Sequence, residues 1–194
     1  MSPRKLQNLC AGKWVTSATT EYSNVYNPAT GEVIAKHPLS TQSEIDQIIA
    51  GAVEAFGPWK RTPVPTRSAI MFRYRHLLTS HSDELAAIIT MENGKTNEEA
   101  KGELLRAIQY VEHAAAVPET MKGSVTENIG TGVDIEFIRE PLGVFAVIAP
   151  FNFPAMIPLY FAWAVATGNS VILKPSELCP LTAIRMAELA EEAG

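Results

Sequence analysis

The chain has 194 residues, 46% of them hydrophobic, and a formal net charge of -5, which describes a globular protein with a packed core. The charged residues are spread along the sequence without a basic run, and this excludes an electrostatic footprint for nucleic acid or an anionic membrane. Cys10 and Cys179 form neither a metal-binding spacing nor a disulfide framework, and the four histidines form no ligand pair. We therefore expect a cytoplasmic protein that holds no metal and acts on a small molecule.

The chain opens with a segment that is rich in short strands. Residues 8–15 favour a hairpin that turns around the Ala-Gly pair at 11–12. Residues 27–31 have the composition of a turn, and they lead into a strand at 32–35. We expect small β elements, rather than a continuous sheet, before the first helix.

Four helices are predicted to follow in a row. The first begins with the spacing of a capping box at Thr41 and Glu44, and its helical periodicity stops at the Gly-Pro pair 57–58, where we expect the helix to end. The second helix runs from about Thr66 to Leu78.

The third and fourth helices have their own start and stop signals. Ser82 is predicted to cap the third helix, and the Asn-Gly pair 93–94 supplies a left-handed residue that ends it. Thr96 and Glu99 form another capping box, which opens a long helix that continues to Ala115.

Residues 123–141 change to a polar and β-branched pattern around a Gly-Thr-Gly sequence at 130–132. This pattern predicts an extended arm or hairpin, and we expect it to form an oligomer contact. The two glycines lack the third glycine and the preceding strand of a dinucleotide-binding loop, and the chain has no Walker loop. Any nucleotide must therefore be held in another way.

Residues 142–173 carry no charged side chain, yet prolines and polar residues divide them into pieces too short to cross a membrane. From this point the pattern predicts strand, helix, strand and helix at 144–149, 155–167, 170–173 and 182–193. Apolar strands alternating with helices are typical of a parallel sheet covered on both faces, so the fold class is α/β. Ligands of such sheets lie beyond the carboxyl ends of the strands.

Two polar side chains follow the two predicted strands. Asn152 lies between Pro150 and Pro154 inside apolar sequence, and a buried amide without a partner costs about 1 to 3 kcal/mol. Asn152 therefore either bonds its own backbone in a turn or faces a ligand. Lys174 follows the second strand, so both side chains should project into one crevice.

Two motifs carry a resemblance to a known family. The proline, aromatic, asparagine, phenylalanine, proline sequence at 150–154 and the Lys-Pro-Ser-Glu sequence at 174–177 resemble the aldehyde dehydrogenase family, as do residues 12–14, 27–31 and 92–95. The resemblance covers nearly the whole chain. It implies NAD as cofactor and the N-terminal part of an aldehyde-dehydrogenase-like fold. In that fold, residues 1–122 form β-hairpins and helices, residues 123–141 form the β arm, and residues 142–194 form the first βαβα of an NAD-binding sheet.

The resemblance also implies roles for individual residues. Asn152 would donate to the oxyanion that develops when a cysteine adds to an aldehyde. Lys174 and Glu177 suit the hydroxyls of an adenosine ribose, although Glu177 also suits a helix start that needs a carboxylate. The implied cofactor contacts are Ile148, Ala149, Pro150, Phe151, Lys174, Ser176 and Glu177.

Phe151 stands where many family members have tryptophan, and this form is similar to the methylmalonate-semialdehyde dehydrogenase branch, which passes its acyl group to coenzyme A. Arg106 lies in a segment that resembles the part of that branch where an arginine binds the substrate carboxylate. An exposed helix arginine is the alternative. The chain departs from the branch at Leu178, where the branch carries arginine. A full-length protein of this kind is expected to be a homo-oligomer, a dimer or tetramer.

The resemblance places the catalytic cysteine and the general-base glutamate after residue 177, in sequence that these 194 residues do not contain. Cys10 lies in the opening hairpin, and Cys179 does not match the position of the nucleophile. We therefore expect this chain alone to be inactive. The alternative is a truncated, non-catalytic paralogue that acts as an assembly or binding module through residues 123–138. A cofactor-binding loop and a cysteine encoded after residue 194 would favour the N-terminal part of an enzyme. A stop codon at that point would favour the non-catalytic paralogue.

Overall fold

The computed structural model describes residues 3–194, so the first two residues of the predicted N-terminal part lie outside the described residues. Five short strands come first: β1 (Arg4–Lys5), β2 (Asn8–Cys10), β3 (Lys13–Val15), β4 (Tyr22–Tyr26) and β5 (Val33–Pro38). β2 and β3 form the predicted hairpin, and its turn residues Ala11 and Gly12 have positive φ. β5 confirms the predicted strand and lies between β1 and β4. β1 and β4 were not predicted, because β1 has two residues and β4 carries Asn24, a residue type that is uncommon in strands.

Five helices follow: α1 (Gln42–Arg61), α2 (Val64–Ser80), α3 (Ser82–Asn93), α4 (Asn97–Ala115) and the short α5 (Val117–Thr120). The four long helices confirm the prediction, and both capping boxes are present with reciprocal hydrogen bonds. Gly94 ends α3 with a φ of 84°. A Cβ at that position would lie 2.9 Å from Cγ of Pro28, so the left-handed backbone and the close approach both require glycine.

Two predicted helix boundaries are wrong. α1 does not end at residues 57–58 but continues through Pro58 to Arg61, because the last turn is anchored from outside: the indole N–H of Trp59 donates to the carbonyl of Val165 at 2.9 Å. Pro58 removes one backbone donor, and the tertiary contact outweighs that local loss. Ser82 does not cap α3, since His81 holds the cap position and makes no side-chain cap hydrogen bond.

The last part of the chain forms the arm and the parallel sheet. Its strands and helices are β6 (Ser124–Gly130), β7 (Val133–Phe137), β8 (Val144–Ile148), α6 (Ile157–Ala166), β9 (Ser170–Lys174) and α7 (Pro180–Ala193), with a 3-10 turn at Pro154–Met156. β6 and β7 pair as the predicted hairpin, and every residue of both strands is exposed. β8 and β9 pair in parallel, as predicted.

The prediction that both strands of this sheet are covered on both faces is wrong for β8. Four of its five residues are exposed, including Phe145 and Ile148. Within residues 3–194, β8 pairs with β9 alone, and α1 and α6 pack mainly over β9. The apolar sequence of β8 is typical of a buried strand, but residues 3–194 leave most of this strand exposed.

The main hydrophobic core lies where α2, α3 and α4 pack against α6 and α7. Fully burying a large apolar side chain contributes about 1.5 to 3 kcal/mol, so this core supplies most of the stability that holds the helices together. Its largest fully buried side chains include Tyr74, Leu78, Leu85, Ile89, Leu104 and Met186. A smaller cluster of Leu6, Val25 and Ala35 lies between the first sheet and α7.

Candidate functional site

The two motif loops begin at the same edge of the parallel sheet. Ile148 at the end of β8 is paired in register with Lys174 at the end of β9, and the N–H of Ala149 donates to the carbonyl of Lys174 at 3.0 Å. Residues 150–156 and 174–179 therefore leave the sheet side by side at its carboxyl end. This is the edge at which parallel sheets bind ligands.

Asn152 is exposed at this edge, so the expectation of a buried amide is wrong. Within residues 3–194 its side-chain amide makes no hydrogen bond, and in particular it does not bond its own backbone in a turn. Its backbone carbonyl, in contrast, accepts a hydrogen bond from Nζ of Lys95 at 2.8 Å. The loop is thus held by its main chain, and no residue among 3–194 accepts from the side-chain amide.

Lys95 and Glu103 hold this loop from the helical side. Nζ of Lys95 forms an ion pair with Oε2 of Glu103 and lies 4.2 Å from the ring centroid of Phe153. Oε1 of Glu103 accepts a hydrogen bond from the N–H of Ala155 at 2.6 Å. The Glu103 side chain is only 3% exposed, so the pair is largely removed from water. Both partners are satisfied by hydrogen bonds, as a buried ion pair requires.

Asn93 connects the two motif loops. Its Nδ2 donates to the carbonyl of Phe151 at 2.9 Å and lies 3.4 Å from Sγ of Cys179. Asn93 is the last residue of α3, so the end of one helix contacts both loops. The sequence predicted only that Asn93 helps to end α3, and its contacts with both loops were not predicted.

Glu92 fixes the start of α7. Its buried carboxylate accepts hydrogen bonds from the N–H groups of Leu181 and Thr182, at 2.7 and 2.8 Å, and from the hydroxyl of Thr182. Burial raises the pKa of Glu92, and these hydrogen bonds to Thr182 and Leu181 offset part of that rise. An acidic group near a helix N-terminus also has a favourable interaction with the helix dipole.

The sequence contains a signal for both buried glutamates, although neither was predicted as a functional residue. Glu92 follows Leu85 and Ile89 at helical spacing, so it lies on the buried face of α3. Glu103 occupies the same kind of position on α4, next to Leu104. A carboxylate on an apolar helix face needs a partner, and here the partners are the motif loops and the start of α7.

The predicted cofactor residues fall into an exposed and a buried group. Nζ of Lys174 pairs with Oε2 of Glu177 at 3.0 Å, and both are exposed. A hydrogen bond from its own backbone, followed by that from Lys174, lowers the pKa of Glu177, so this group is a carboxylate acceptor. Ser176 is buried, and its hydroxyl accepts from the N–H of Leu178 at 3.2 Å. The other exposed residues of the set are Ile148, Pro150 and Phe151, and the other buried one is Ala149.

Arg106 lies on α4 one helical turn after Glu103, which contacts the loop of Asn152. The Arg106 side chain is exposed, and it makes no ion pair within the described part of the chain. Its guanidinium is therefore not engaged by any carboxylate among residues 3–194.

Neither cysteine is presented as a nucleophile. Cys179 is 4% exposed, its Sγ lies 3.7 Å from the carbonyl oxygen of Glu92, and burial raises the pKa of its thiol. Its position at the start of α7 does not give it a lowered pKa, because desolvation by burial has the largest effect. Cys10 is half-buried in β2.

The rest of the described surface offers no competing centre with clear chemistry. Among residues 3–194, no three His, Cys, Asp or Glu side chains are grouped so that they could hold a metal ion. A cavity of about 430 Å³ lies between the first sheet, α3 and α7, and none of the predicted site residues lines it. Its polar groups include Arg185, which is already paired with Glu84 and Glu188. No helix in the described range is both long and apolar enough to cross a membrane.

Comparison with known proteins shows the family to which the chain belongs. The sequence profile of the aldehyde dehydrogenase family matches residues 14–194. A malonate-semialdehyde dehydrogenase 2 of Bacillus cereus is 50% identical over 194 residues, which is all of this chain and 40% of that protein. The chain therefore spans about two fifths of the length of the curated relatives it matches.

Solved structures show the same relationship. A protein of Sinorhizobium meliloti 1021, assigned as a methylmalonate-semialdehyde dehydrogenase and complexed with NAD, superposes with a TM-score of 0.94 at 39% identity, over 99% of this chain and 39% of that one. The methylmalonate-semialdehyde dehydrogenase of Oceanimonas doudoroffii gives a TM-score of 0.94 at 41% identity, over 98% of this chain and 39% of that one.

Proposed function

The chain belongs to the aldehyde dehydrogenase family, and we propose that it is the N-terminal portion of a longer, NAD-dependent enzyme that oxidises a carboxylated semialdehyde. Methylmalonate semialdehyde and malonate semialdehyde are the proposed substrates, in line with the names of its relatives. The observation that carries the proposal is the exposed Asn152 amide at the carboxyl edge of the parallel sheet, beside Lys174 and Glu177.

Asn152 is the proposed oxyanion donor. When a cysteine thiolate adds to the carbonyl carbon of an aldehyde, the carbonyl oxygen becomes negatively charged. A preorganised amide donor at that oxygen contributes about 3 kcal/mol to the transition state. The Asn152 side chain suits this role because its main chain is fixed by Lys95 at 2.8 Å and its amide has no partner among residues 3–194.

The edge of the sheet also suits a dinucleotide. Lys174 and Glu177 offer ammonium donors and a carboxylate acceptor to ribose hydroxyls, and both side chains are exposed. Ile148 is 81% exposed and Phe151 53% exposed, so an apolar surface that an aromatic base could cover lies beside the polar pair. When bound, NAD supplies the hydride acceptor for the oxidation.

Arg106 is the proposed substrate-carboxylate residue. Its guanidinium is exposed on α4, one turn from Glu103, and Glu103 contacts the loop that carries Asn152. A fork of N–H donors matches a carboxylate in geometry as well as charge. A semialdehyde that reaches Asn152 with its carbonyl would then place its carboxylate near Arg106.

The catalytic cysteine and the general base are proposed to come from sequence outside these 194 residues. Cys179 is buried and carries a thiol whose pKa is raised, which makes it unsuited to attack an aldehyde. After the hydride leaves, the enzyme-bound acyl group is a thioester, and the thiol of coenzyme A is the proposed acceptor. Attack by that thiol releases the catalytic cysteine and forms an acyl-coenzyme A.

The arm formed by β6 and β7 is the proposed oligomer contact. Its exposed apolar side chains lie on both strands, with Val125 and Ile129 on β6 and Val133, Ile135 and Phe137 on β7. A projecting hairpin with this composition suits burial against a second copy. The same surface is what favours the second candidate, a non-catalytic module that assembles through its arm.

The reading frame and the product of the complete gene test this proposal. Purified full-length protein should reduce NAD with methylmalonate semialdehyde or malonate semialdehyde, and coenzyme A should raise the rate and appear in the product. The 194-residue chain alone should reduce no NAD with any aldehyde. A stop codon directly after residue 194, together with self-association of the chain, would support the non-catalytic module instead.

A further inference from the structure

Lys95 stands between α4 and the loop of Asn152, and nothing in the proposed chemistry accounts for it. Its ammonium group donates to Glu103 and to the backbone carbonyl of Asn152, at 2.8 Å for the latter, and it covers the ring of Phe153. Lys95 therefore touches the residue that carries the oxyanion donor without using that residue's side chain.

We propose that Lys95, held in place by Glu103, is a positioning residue that aims the Asn152 amide at the reacting carbonyl; this rests on the function proposed above. The Asn152 side chain has no hydrogen bond within residues 3–194, so the hydrogen bonds that position it among these residues act through the backbone of its loop. That backbone is fixed at two points by this pair: the carbonyl of Asn152 by Lys95 and the N–H of Ala155 by Glu103.

The stability of the fold does not by itself explain why a charged pair occupies this place. The Lys95 side chain is 21% exposed and that of Glu103 is 3% exposed. Replacing a largely buried ion pair by apolar side chains of similar volume is often neutral or stabilising, because the desolvation cost disappears. An apolar pair, however, could not hold a carbonyl and an N–H group of the loop at fixed positions.

Catalysis gives a reason for such a tether. An oxyanion donor is effective only when it is aimed at the place where charge develops, and a misplacement of about 1 Å costs about a hundredfold in rate. Lys95 restrains the carbonyl of the same residue whose side chain would donate. Loss of this restraint should therefore lower kcat and leave binding of the aldehyde nearly unchanged.

The test uses the full-length enzyme and the pair variant Lys95→Met with Glu103→Gln. Removing both charges together avoids a buried unpaired carboxylate, and the side-chain carbonyl introduced by Glu103→Gln can still accept from the N–H of Ala155. We expect kcat to fall about 10- to 100-fold with the KM for aldehyde nearly unchanged. Lys95→Arg should retain most of the activity, because a guanidinium also donates to both acceptors. The control Lys101→Met removes a lysine of α4 that pairs with exposed Asp83 at 3.0 Å, and it should leave kcat unchanged.

Combination with Asn152→Ala decides whether the pair acts through Asn152. In the Asn152→Ala background the pair variant should cause almost no further loss of kcat, since there is no amide left to aim. Losses that multiply, or a rise of KM without a fall of kcat, would overturn the proposal. If the wild-type enzyme oxidises no aldehyde, the proposed function fails instead. Amide hydrogen exchange of the 194-residue chain then tests the tether alone: exchange over residues 151–156 should accelerate in the pair variant, and unchanged exchange would overturn it.

Discussion

The carboxylate of Glu92 accepts hydrogen bonds from both the backbone N–H and the hydroxyl of Thr182, a residue 90 positions further along the chain. Glu92 is the penultimate residue of α3, and Thr182 lies in the first turn of α7. This contact fixes where α7 begins, and it thereby limits the loop of residues 174–179 that carries Lys174. Asn93 and Lys95 hold the other motif loop, so one short segment positions both.

Replacing Glu92 by glutamine should change the pH dependence of stability. Burial raises the pKa of Glu92, so the folded chain binds this proton more tightly than the unfolded chain does. The stability contributed by that proton is present at low pH and is lost as the pH rises from the ordinary glutamate value, about 4.3, through the raised pKa. Glu92→Gln should be less stable by about 1 to 3 kcal/mol at the acidic end, because a glutamine leaves one donor of α7 unpaired. The difference in the free energy of unfolding between the wild type and Glu92→Gln should decrease as the pH rises.

Urea unfolding of both chains over the acidic to neutral range measures this effect. Glu54→Gln, at an exposed position of α1, is the matched control and should leave the pH dependence unchanged. A constant difference in the free energy of unfolding between wild type and Glu92→Gln at every pH would contradict the assignment.

Cys179 should be nearly inert to alkylation in the folded chain. Its thiol is 4% exposed and its pKa is raised by burial, so little thiolate is present and reagents cannot reach it. Iodoacetamide labelling followed by peptide mass spectrometry should modify half-buried Cys10 first and Cys179 only after unfolding in urea. Equal labelling of both cysteines in the native chain would show that Cys179 is available as a nucleophile.

Replacing Arg67 by methionine should destabilise the fold. Arg67 is buried on α2, and it donates to the carbonyl of Ala166 at 2.8 Å and to the carbonyl of Thr62. These carbonyls lie at the ends of α6 and α1, and leaving them without donors should cost about 2 to 4 kcal/mol. Arg61→Met, at the exposed end of α1, is the control. Equal unfolding midpoints in urea for the two variants would refute the role of Arg67.

Replacing Tyr74 by phenylalanine should not weaken the core. The Tyr74 hydroxyl is buried and has no hydrogen-bond partner among residues 3–194, while its ring lies 5.8 Å from that of Phe161. Removing an unpaired buried hydroxyl should raise the free energy of unfolding by about 1 kcal/mol. Tyr160→Phe on the exposed side of α6 should change it little. A loss of stability in Tyr74→Phe would mean that the hydroxyl does have a partner.

Local signals in the sequence predicted the parts of the fold that depend on neighbouring residues. The capping box of Thr41 and Glu44 forms within three residues, and it is present as predicted. The end of α1 was wrong because it depends on Trp59 and Val165, which are 106 residues apart. A contact between residues so far apart cannot be predicted from the pattern of neighbouring residues.

The candidate site likewise has features that the sequence predicted and features that only the structure shows. The positions of Asn152 and Lys174 at one sheet edge followed from two apolar strands and the rule for parallel sheets. The contact of Lys95 with the carbonyl of Asn152 could not be predicted, because the two residues are 57 positions apart. The exposure of Asn152 was also missed, since the apolar sequence around it indicated burial.

We propose that the full-length enzyme acts on an aldehyde that carries a carboxylate and that Arg106 binds this carboxylate. The most direct measurement compares kcat/KM for malonate semialdehyde and for propanal in the wild type, in Arg106→Ala and in the control Arg61→Ala. A charged hydrogen bond contributes about 1.5 to 3 kcal/mol, so Arg106→Ala should lose about 10- to 100-fold with malonate semialdehyde and little with propanal. Equal losses with both aldehydes would contradict the account.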